Sequence, residues 1–446
     1  MIFWSATRVA GLLGTPKSNV STTFTSVSTD TRTLCDGALF VALVGERFDG
    51  HDYLDEAASR GAAGVVVLRG TALPEGPVCY EVEDTARALG QLARARRAEI
   101  RGPVVAVTGT NGKTSTKEML ASALSANWSV HATRENFNNL IGVPLTILEA
   151  PMDCDALVVE VGANQRGEIS RLRDVVQPSI GVVTNVGHGH LEGFGSFDGV
   201  LEEKASLLDG APVAVVGTEP PELAVLAERR AARVITAGLD EHASFSPESW
   251  SLNDQARGSA VVSDVEINLP VVGYHQIENL VLVLAVAREL GLDLVAVAER
   301  LEAVSLPPGR CEVLRSGELT VLNDAYNSNP GSLKALLKTA SAMQRGRKLV
   351  LVLGSMLELG DDSAALHAEM ADCVMEVNPH IVAVMGDFVR AFERYSEPLG
   401  DRLIVAPDSE SLGRAVAGRF TGDELVLVKG SRGVHLDRAV PFLLST

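Results

Sequence analysis

Residues 104–120 read VVAVTGTNGKTSTKEML, and no other stretch limits the fold as much. The β-branched apolar run predicts a buried strand, the glycines after it break that strand, and the spacing beyond Lys113 is helical. A helix that begins at a glycine turn aims its unpaired N–H groups out of the turn, and its dipole makes that end electropositive. Strand, glycine loop and helix in that order make a seat for a phosphate. Gly109 and Gly112 let backbone N–H groups face the phosphate, Lys113 adds a point charge, and the Thr114 hydroxyl is placed to ligate magnesium. The nucleotide-binding candidates are therefore Gly109, Thr110, Asn111, Gly112, Lys113, Thr114 and Ser115. The first glycine stands only three residues before the second, closer than in the general G-x-x-x-x-G-K-[ST] pattern. The plainer reading is a strand-to-helix turn with a surface lysine. The preceding strand and the Thr-Ser pair after the lysine argue against it.

Around that loop, short Val-rich runs alternate with helical segments. DALVVEVG, SIGVVTNVG, APVAVVG and RVITAG each precede a loop or helix, the pattern of a parallel sheet. Ahead of it, GALFVAL, HDYLDEAASRG, AGVVVL and VCYEV read as a small α/β unit. A helix over about 84–97 then leads to Gly102-Pro103. The Pro-Gly turn in SLPPGR marks a second boundary, beyond which TVLNDAY, KLVLVLGS, HIVAVMG, RLIVAP and ELVLVKGS repeat the alternation. The expected division is 1–82, a linker helix 83–102, a central nucleotide-binding domain 103–308 and a third α/β domain 309–446. The chain's 446 residues suit about three domains. Its 46% hydrophobic and 4% aromatic content suits strands covered by helices better than an aromatic sandwich. The fold class is α/β.

A net charge of -18 excludes broad attraction to nucleic acid or an anionic membrane, though not an anionic small substrate met by a few converging cations. The five cysteines (35, 79, 154, 311, 373) form no CxxC pair and read as reduced, mostly buried thiols, as in a cytoplasmic protein. Residues 1–20 lack the pattern of an export signal, and no apolar run reaches membrane-spanning length. A soluble protein without stable membrane insertion is expected.

Other polar residues fall where strands end. Glu160 ends ALVVE; His188 and His190 follow the next strand in TNVGHGHLEG. Both positions suit a magnesium nucleotide's surroundings, and both also suit a solvated glutamate and loop histidines. Lys204, in LEEKASLL, reads from its pattern as an exposed helical lysine beside Glu202 and Glu203. Arg310 lies at the second boundary, and Asp324, Tyr326, Asn327 and Asn329 crowd the junction before a helix near Pro330. They suit a ribose or phosphate, or simply a helix cap. Lys429 and Arg432, in VKGSRG, suit an anionic substrate group or a solvated turn.

The motifs GTNGKTSTKEML, ENFNNLIGVPLTIL, EVGANQRGEI, TNVGHGHLEGFGS, NDAYNSNPGSLKALL, LGSMLELG and VKGSR closely resemble those of the Mur ligase family. The resemblance runs along essentially the whole chain. It implies a UDP-sugar-binding amino-terminal domain, a central P-loop-type ATPase domain with a mostly parallel sheet, and a Rossmann-like carboxy-terminal domain. It implies that ATP, with Mg2+, phosphorylates the terminal carboxylate of UDP-MurNAc-tripeptide, and that D-Ala-D-Ala displaces the phosphate. Lys113, Lys204 and His190 would be catalytic; Thr114, Glu160, His190 and Lys204 would face the metals, Lys204 as a carbamate, which reverses the exposed reading. Asn279 would contact adenine, Arg310 and Asp324 the nucleotide, and Tyr326 and Asn329 its ribose side. Asp30, Arg32, Asn138, Asn139, Lys429 and Arg432 are the substrate-side candidates. The implied enzyme is cytoplasmic and monomeric. Three departures stand out: His275-Gln276 where His-Asn is usual, His435-Leu436 where Met-Glu is common after KGSR, and DTR for DSR. The competing readings are a sister ligase adding a single amino acid, a folylpolyglutamate-type ligase, and a binding module that hydrolyses ATP without ligation.

Overall fold

A computed structural model describes residues 3–16, 21–45 and 47–445. The chain forms two compact units. Residues up to Ala106, with Trp128–Ala163 and Gly167–Ile180, make the first; Val107–Asn127, Asn164–Arg166 and the chain from Gly181 make the second.

In the first unit, β1 (Trp4–Ser5) pairs antiparallel with β2 (Thr23–Phe24). Strands β3 (Val27–Ser28), β4 (Leu39–Val41), β5 (Gly64–Leu68) and β6 (Val78–Val82) form a parallel sheet in chain order. One face packs Phe40, Val65 and Val67 on Leu54 and Ala57 of the helix between β4 and β5. Helix α1 (Thr85–Arg97) starts at Asp84, whose side chain accepts from Arg87 N at 2.9 Å. Its Arg96 is 2% exposed and donates to the carbonyls of Ala150 and Pro151, so a charged residue ends the helix inside the unit. This unit also contains the start of β7 (Val104–Thr108) and the strands β8 (Val130–Ala132) and β9 (Ala156–Glu160), in the order β7-β9-β8.

In the second unit, the end of β7 lies in the order β12-β11-β10-β7, with β10 (Ile180–Val183), β11 (Val213–Gly217) and β12 (Val234–Ala237). Helix α2 (Lys113–Leu124) follows β7, α3 (Phe197–Ala205) follows β10, and α4 (Tyr274–Glu289) buries eleven of its residues, as a helix apolar on all sides must. A three-stranded antiparallel meander, β13 (Ser249–Leu252), β14 (Arg257–Val262) and β15 (Val265–Val272), was not anticipated from the sequence. Its second turn is Ser263-Asp264, both at positive φ, as a two-residue hairpin joining Val262 to Val265 requires.

The rest of this unit is a six-stranded sheet ordered β16-β17-β21-β18-β19-β20: Glu312–Ser316, Leu319–Asp324, Leu425–Lys429, Leu349–Leu353, Ile381–Val384 and Leu403–Val405. Only the edge strand β16 runs antiparallel. Apolar clusters cover both faces, which is why LVLVL and LVLVK do not alternate. Helix α5 (Pro330–Gln344) links β17 to β18. Because β21 lies between those two strands, the carboxyl ends of β17, β21 and β18 open at a topological switch point.

The α/β reading holds. Only Cys154 and Cys311 are buried, while Cys79 and Cys373 are half-buried and Cys35 is exposed, so the expectation of mostly buried thiols is corrected; all five are free. Spacing along the chain does not tell which face a cysteine takes. Among the described residues no helix is long and apolar enough to cross a membrane.

Candidate nucleotide site

The loop between β7 and α2 is shaped by its glycines and by the segment after β10. Gly109 has φ +143°, and a Cβ there would stand 1.9 Å from Thr184 Oγ1; one on Gly112, at φ +80°, would stand 2.3 Å from Asn279 Oδ1. Neither position tolerates a side chain. Thr184 Oγ1 donates to the Asn111 carbonyl at 2.5 Å, Asn185 O accepts from Thr110 N at 2.9 Å, and Asn185 Oδ1 accepts from Asn111 N at 3.0 Å. Lys113 Nζ donates to the carbonyls of Gly109 and Thr110 at 2.9 and 3.1 Å, which holds the ammonium at the loop. Helix α2 begins at Gly112 without a side-chain cap and without an acid in its first turn, so its amino end presents backbone N–H groups and positive potential. Thr114 and Ser115 are buried under that turn.

Asn279, on α4, is 3% exposed and reaches Gly112; its Nδ2 donates to Gln276 Oε1, and the Gln276 amide contacts His275 Nε2 at 3.0 Å. Gln276, noted as a departure, thus holds both neighbours in place. His275 lies 3.8 Å from the Cys311 sulfur, and Cys311 N donates to Asp324 Oδ1. Burial pushes the His275 imidazole down and the Cys311 thiol well up, so both are neutral. Asp324 and Lys429 end neighbouring strands and pair at 2.5 Å, with Lys429 also donating to Asn327 O. Lys429 is 2% exposed, which overturns its reading as a solvated turn residue. The Tyr326 ring stands 3.9 Å from the Arg310 guanidinium and 5.5 Å from that of Arg432. Asn329 caps α5 by accepting from Ser332 N and also exchanges amide hydrogen bonds with Asn111 of the loop. Contacts therefore connect the loop, α4, the boundary turn and the carboxyl ends of β17 and β21.

After β10, His190 lies at φ +55° with its Nδ1 2.5 Å from Glu358 Oε2. The imidazole holds the Glu358 carboxyl below its usual range. His188 packs against Phe197. Lys204 is 1% exposed, with its Nζ 5.4 Å from the Phe194 ring centroid. The pattern-based reading of an exposed lysine is therefore corrected: the short helix Leu191–Phe194 packs over this face of α3 and leaves Asp198 and Glu202 as its exposed acids.

The remaining candidates belong to the first unit. Glu160 is 2% exposed and accepts from Asn138 Nδ2 at 2.8 Å, while its N–H donates to Thr133 Oγ1. Asn139 Oδ1 accepts from Ile141 N and Gly142 N and so caps the helix Gly142–Leu148. Both asparagines, expected on the substrate side, are engaged within the fold. Asp30 pairs with the exposed Arg32 at 2.6 Å, and that guanidinium lowers its carboxyl pKa. Sequence reasoning missed Thr184, Asn185 and Glu358. The first two stand at a strand's carboxyl end, as Glu160 does, and that position was the available signal.

Three family descriptions match in succession: Mur ligase family, catalytic domain, over residues 23–97; Mur ligase middle domain over 107–287; and Mur ligase, glutamate ligase domain, over 309–432. A Bacillus subtilis relative, UDP-N-acetylmuramoyl-tripeptide--D-alanyl-D-alanine ligase, is 32% identical and aligns over 99% of this chain and 97% of its own. Among solved structures, MurF from Acinetobacter baumannii matches with a TM-score of 0.88 at 27% identity, covering 99% of both chains. MurF ligase from Thermotoga maritima, in complex with ADP, matches at 0.81 and 29%, covering 94% of this chain and 97% of that one. The three-domain Mur ligase architecture is common to these structures and to this chain, and the chain belongs to the Mur ligase family.

Proposed function

We propose that this chain joins D-Ala-D-Ala to UDP-N-acetylmuramoyl-tripeptide at the expense of ATP, giving the UDP-pentapeptide precursor of peptidoglycan, ADP and phosphate. The observation that carries this reading is the near full-length alignment, in both directions, with a relative of that name. The ADP complex of the Thermotoga protein supports ATP as the nucleotide.

The chemistry follows from the substrate. An ionised carboxylate is a poor electrophile. Transfer of the γ-phosphoryl group to one of its oxygens gives an acyl phosphate. The amine of D-Ala-D-Ala then attacks the acyl carbon, the C–O bond to phosphate breaks, an amide forms and the amine releases a proton. Charge on the transferring group is met by Lys113 and by the N–H groups at the start of α2. Asn279, Arg310, Asp324, Tyr326 and Asn329 hold the nucleotide. Asp30 and Arg32 serve the uridine end, and Lys429 and Arg432 the substrate side.

The donors suit magnesium. Among the described residues no three His, Cys, Asp or Glu side chains converge, but magnesium binds through one or two carboxylates and completes its shell with phosphate oxygens and water. By the family resemblance, Thr114 would offer a hydroxyl, Glu160 a buried carboxylate, His190 a nitrogen and Lys204, as a carbamate, a further anion to the metal. The bound metal would neutralise phosphate charge. Asn138 acts through Glu160 by fixing its carboxylate. The domains are 1–82, 83–102 (linker helix), 103–308 and 309–446; the second and third matched segments, 107–287 and 309–432, support the last two of these. The enzyme works in the cytoplasm, which supplies ATP.

The test is phosphate release with each UDP-peptide and acceptor, with the product identified by mass. Turnover should require UDP-tripeptide and D-Ala-D-Ala together. Turnover with a single amino acid would make this a sister ligase, and ATP hydrolysis without either substrate would refute ligation.

A further inference from the structure

We propose that Glu358 is a positioning residue for His190, fixing the imidazole so that Nε2 is the nitrogen offered to a metal. The inference rests on the reading of His190 as a metal-facing residue and deepens it.

Glu358 lies beyond β18 in the turn MLELG, on the carboxy-terminal sheet, while His190 lies in the loop after β10. Both are non-glycine residues in the left-handed region, at φ +64° and +55°. Such conformations are strained and persist where surrounding contacts enforce them. Those contacts are visible: Glu192 N donates to Glu358 O at 3.4 Å, and a Cβ on Gly360 would stand 3.8 Å from the Glu192 backbone. The two turns are held together by backbone as well as side chains.

The chemistry gives the pair a purpose. Glu358 Oε2 stands 2.5 Å from Nδ1, close but outside the alignment of a linear hydrogen bond. A small turn of the ring or carboxylate at this separation aligns a proton on Nδ1 with the oxygen. An Nδ1 proton held by a carboxylate leaves the Nε2 lone pair free and makes it more basic. Magnesium prefers oxygen, so a nitrogen ligand gains more than usual from an anionic partner behind it. Glu358 also ties metal binding to the carboxy-terminal region of the chain, since the positioning group and the ligand lie on different segments.

The test uses the full chain, with 15N-histidine spectra of the metal-free enzyme and the His190 signals assigned by their loss in His190→Asn among nine histidines. Wild type should hold His190 as the Nδ1–H tautomer. Glu358→Ala should move it to the mixture of a free imidazole, and Glu358→Gln, which keeps an acceptor, should leave it near wild type. In turnover, the Mg2+ concentration for half activity should rise about ten- to a hundredfold in Glu358→Ala and less in Glu358→Gln, with the ATP KM at saturating Mg2+ within threefold. A wild-type tautomer or a wild-type Mg2+ requirement in Glu358→Ala would overturn the proposal. If His190→Asn instead kept the wild-type Mg2+ requirement, the error would lie in the reading of His190.

Discussion

Gly109→Ala is the sharpest test of the loop geometry. At φ +143° a Cβ would be placed 1.9 Å from Thr184 Oγ1, 3.1 Å from the Asn185 carbonyl oxygen and 3.2 Å from Thr184 Cβ. A non-glycine residue held in this region costs about 1–3 kcal/mol. Thr184 is 4% exposed and must move, breaking the bonds from its hydroxyl to Asn111 O and Thr108 O; stranding a buried hydroxyl costs about 1–3 kcal/mol. Together these give about 2–6 kcal/mol, shared between lower stability and weaker nucleotide binding. If half falls on binding, ATP affinity drops about five- to 150-fold. Calorimetric titration with a non-hydrolysable ATP analogue, alongside thermal unfolding, measures both shares. The double variant Gly109→Ala/Thr184→Ala removes the 1.9 Å collision but keeps the backbone strain, so Gly109→Ala should cost less in the Thr184→Ala background than in wild type. An unchanged affinity and an unchanged unfolding midpoint in Gly109→Ala would refute the loop conformation described here.

Lys113→Ala should lower kcat about 10²–10³-fold while UDP-tripeptide affinity stays within a few-fold, since the lost charge acts on the transferring phosphoryl group; steady-state kinetics with titration of the UDP-peptide separates the two, and near-normal kcat would remove this loop from catalysis. Lys204→Ala should be folded and nearly inactive, with activity partly restored by added formate or acetate, whereas the same additive should do nothing for Lys113→Ala; near-normal activity of Lys204→Ala without additive would dismiss the carbamate. His367 is neutral, accepting from Met356 N at 3.0 Å and bonded through Nδ1 to Ser363 O at 2.7 Å, and burial pushes its pKa down. The unfolded chain therefore binds the proton more readily, and this stability, fully present above about pH 6.5, is lost as pH falls toward the folded pKa. Thermal unfolding from pH 7.5 to 5.5 should fall more steeply in wild type than in His367→Gln, and equal slopes would refute the assignment.

The glycine loop with its flanking strand and helix was legible because its physics is local. Glycines at positive φ, the strand before them and the helix after them all lie within one short stretch. The same holds for the parallel strands, whose unbroken apolar runs announce burial on both faces. The β13–β15 meander escaped notice because its turn is Ser-Asp, without the Asn-Gly or Asp-Gly signal that usually marks such a hairpin. Lys204 was misread from its pattern because the short helix that covers it is formed by residues earlier in the chain, and only the family resemblance pointed inward. Glu358 escaped for a similar reason: nothing near it in sequence indicates His190. Asn138 and Asn139 carried the right residue types, but which groups they bind depended on the fold of the segment around them.

The amide of Asn329 belongs to two structures at once. Its Oδ1 closes the cap of α5, and its Nδ2 donates to Asn111 Oδ1 at 2.7 Å. Aspartate caps helices about as well as asparagine does. At this position, however, it would keep the cap and turn an oxygen toward the Asn111 oxygen, replacing an attraction with a repulsion. Serine would keep the cap and fall short of the loop. The set of residues tolerated here is therefore the intersection of two sets, narrower than either the helix or the loop would impose alone. Mutational drift at an ordinary-looking helix cap is in this way coupled to the glycine loop. A library randomised at 329 and 111 together should return compatible pairs, where separate libraries would return asparagine at each.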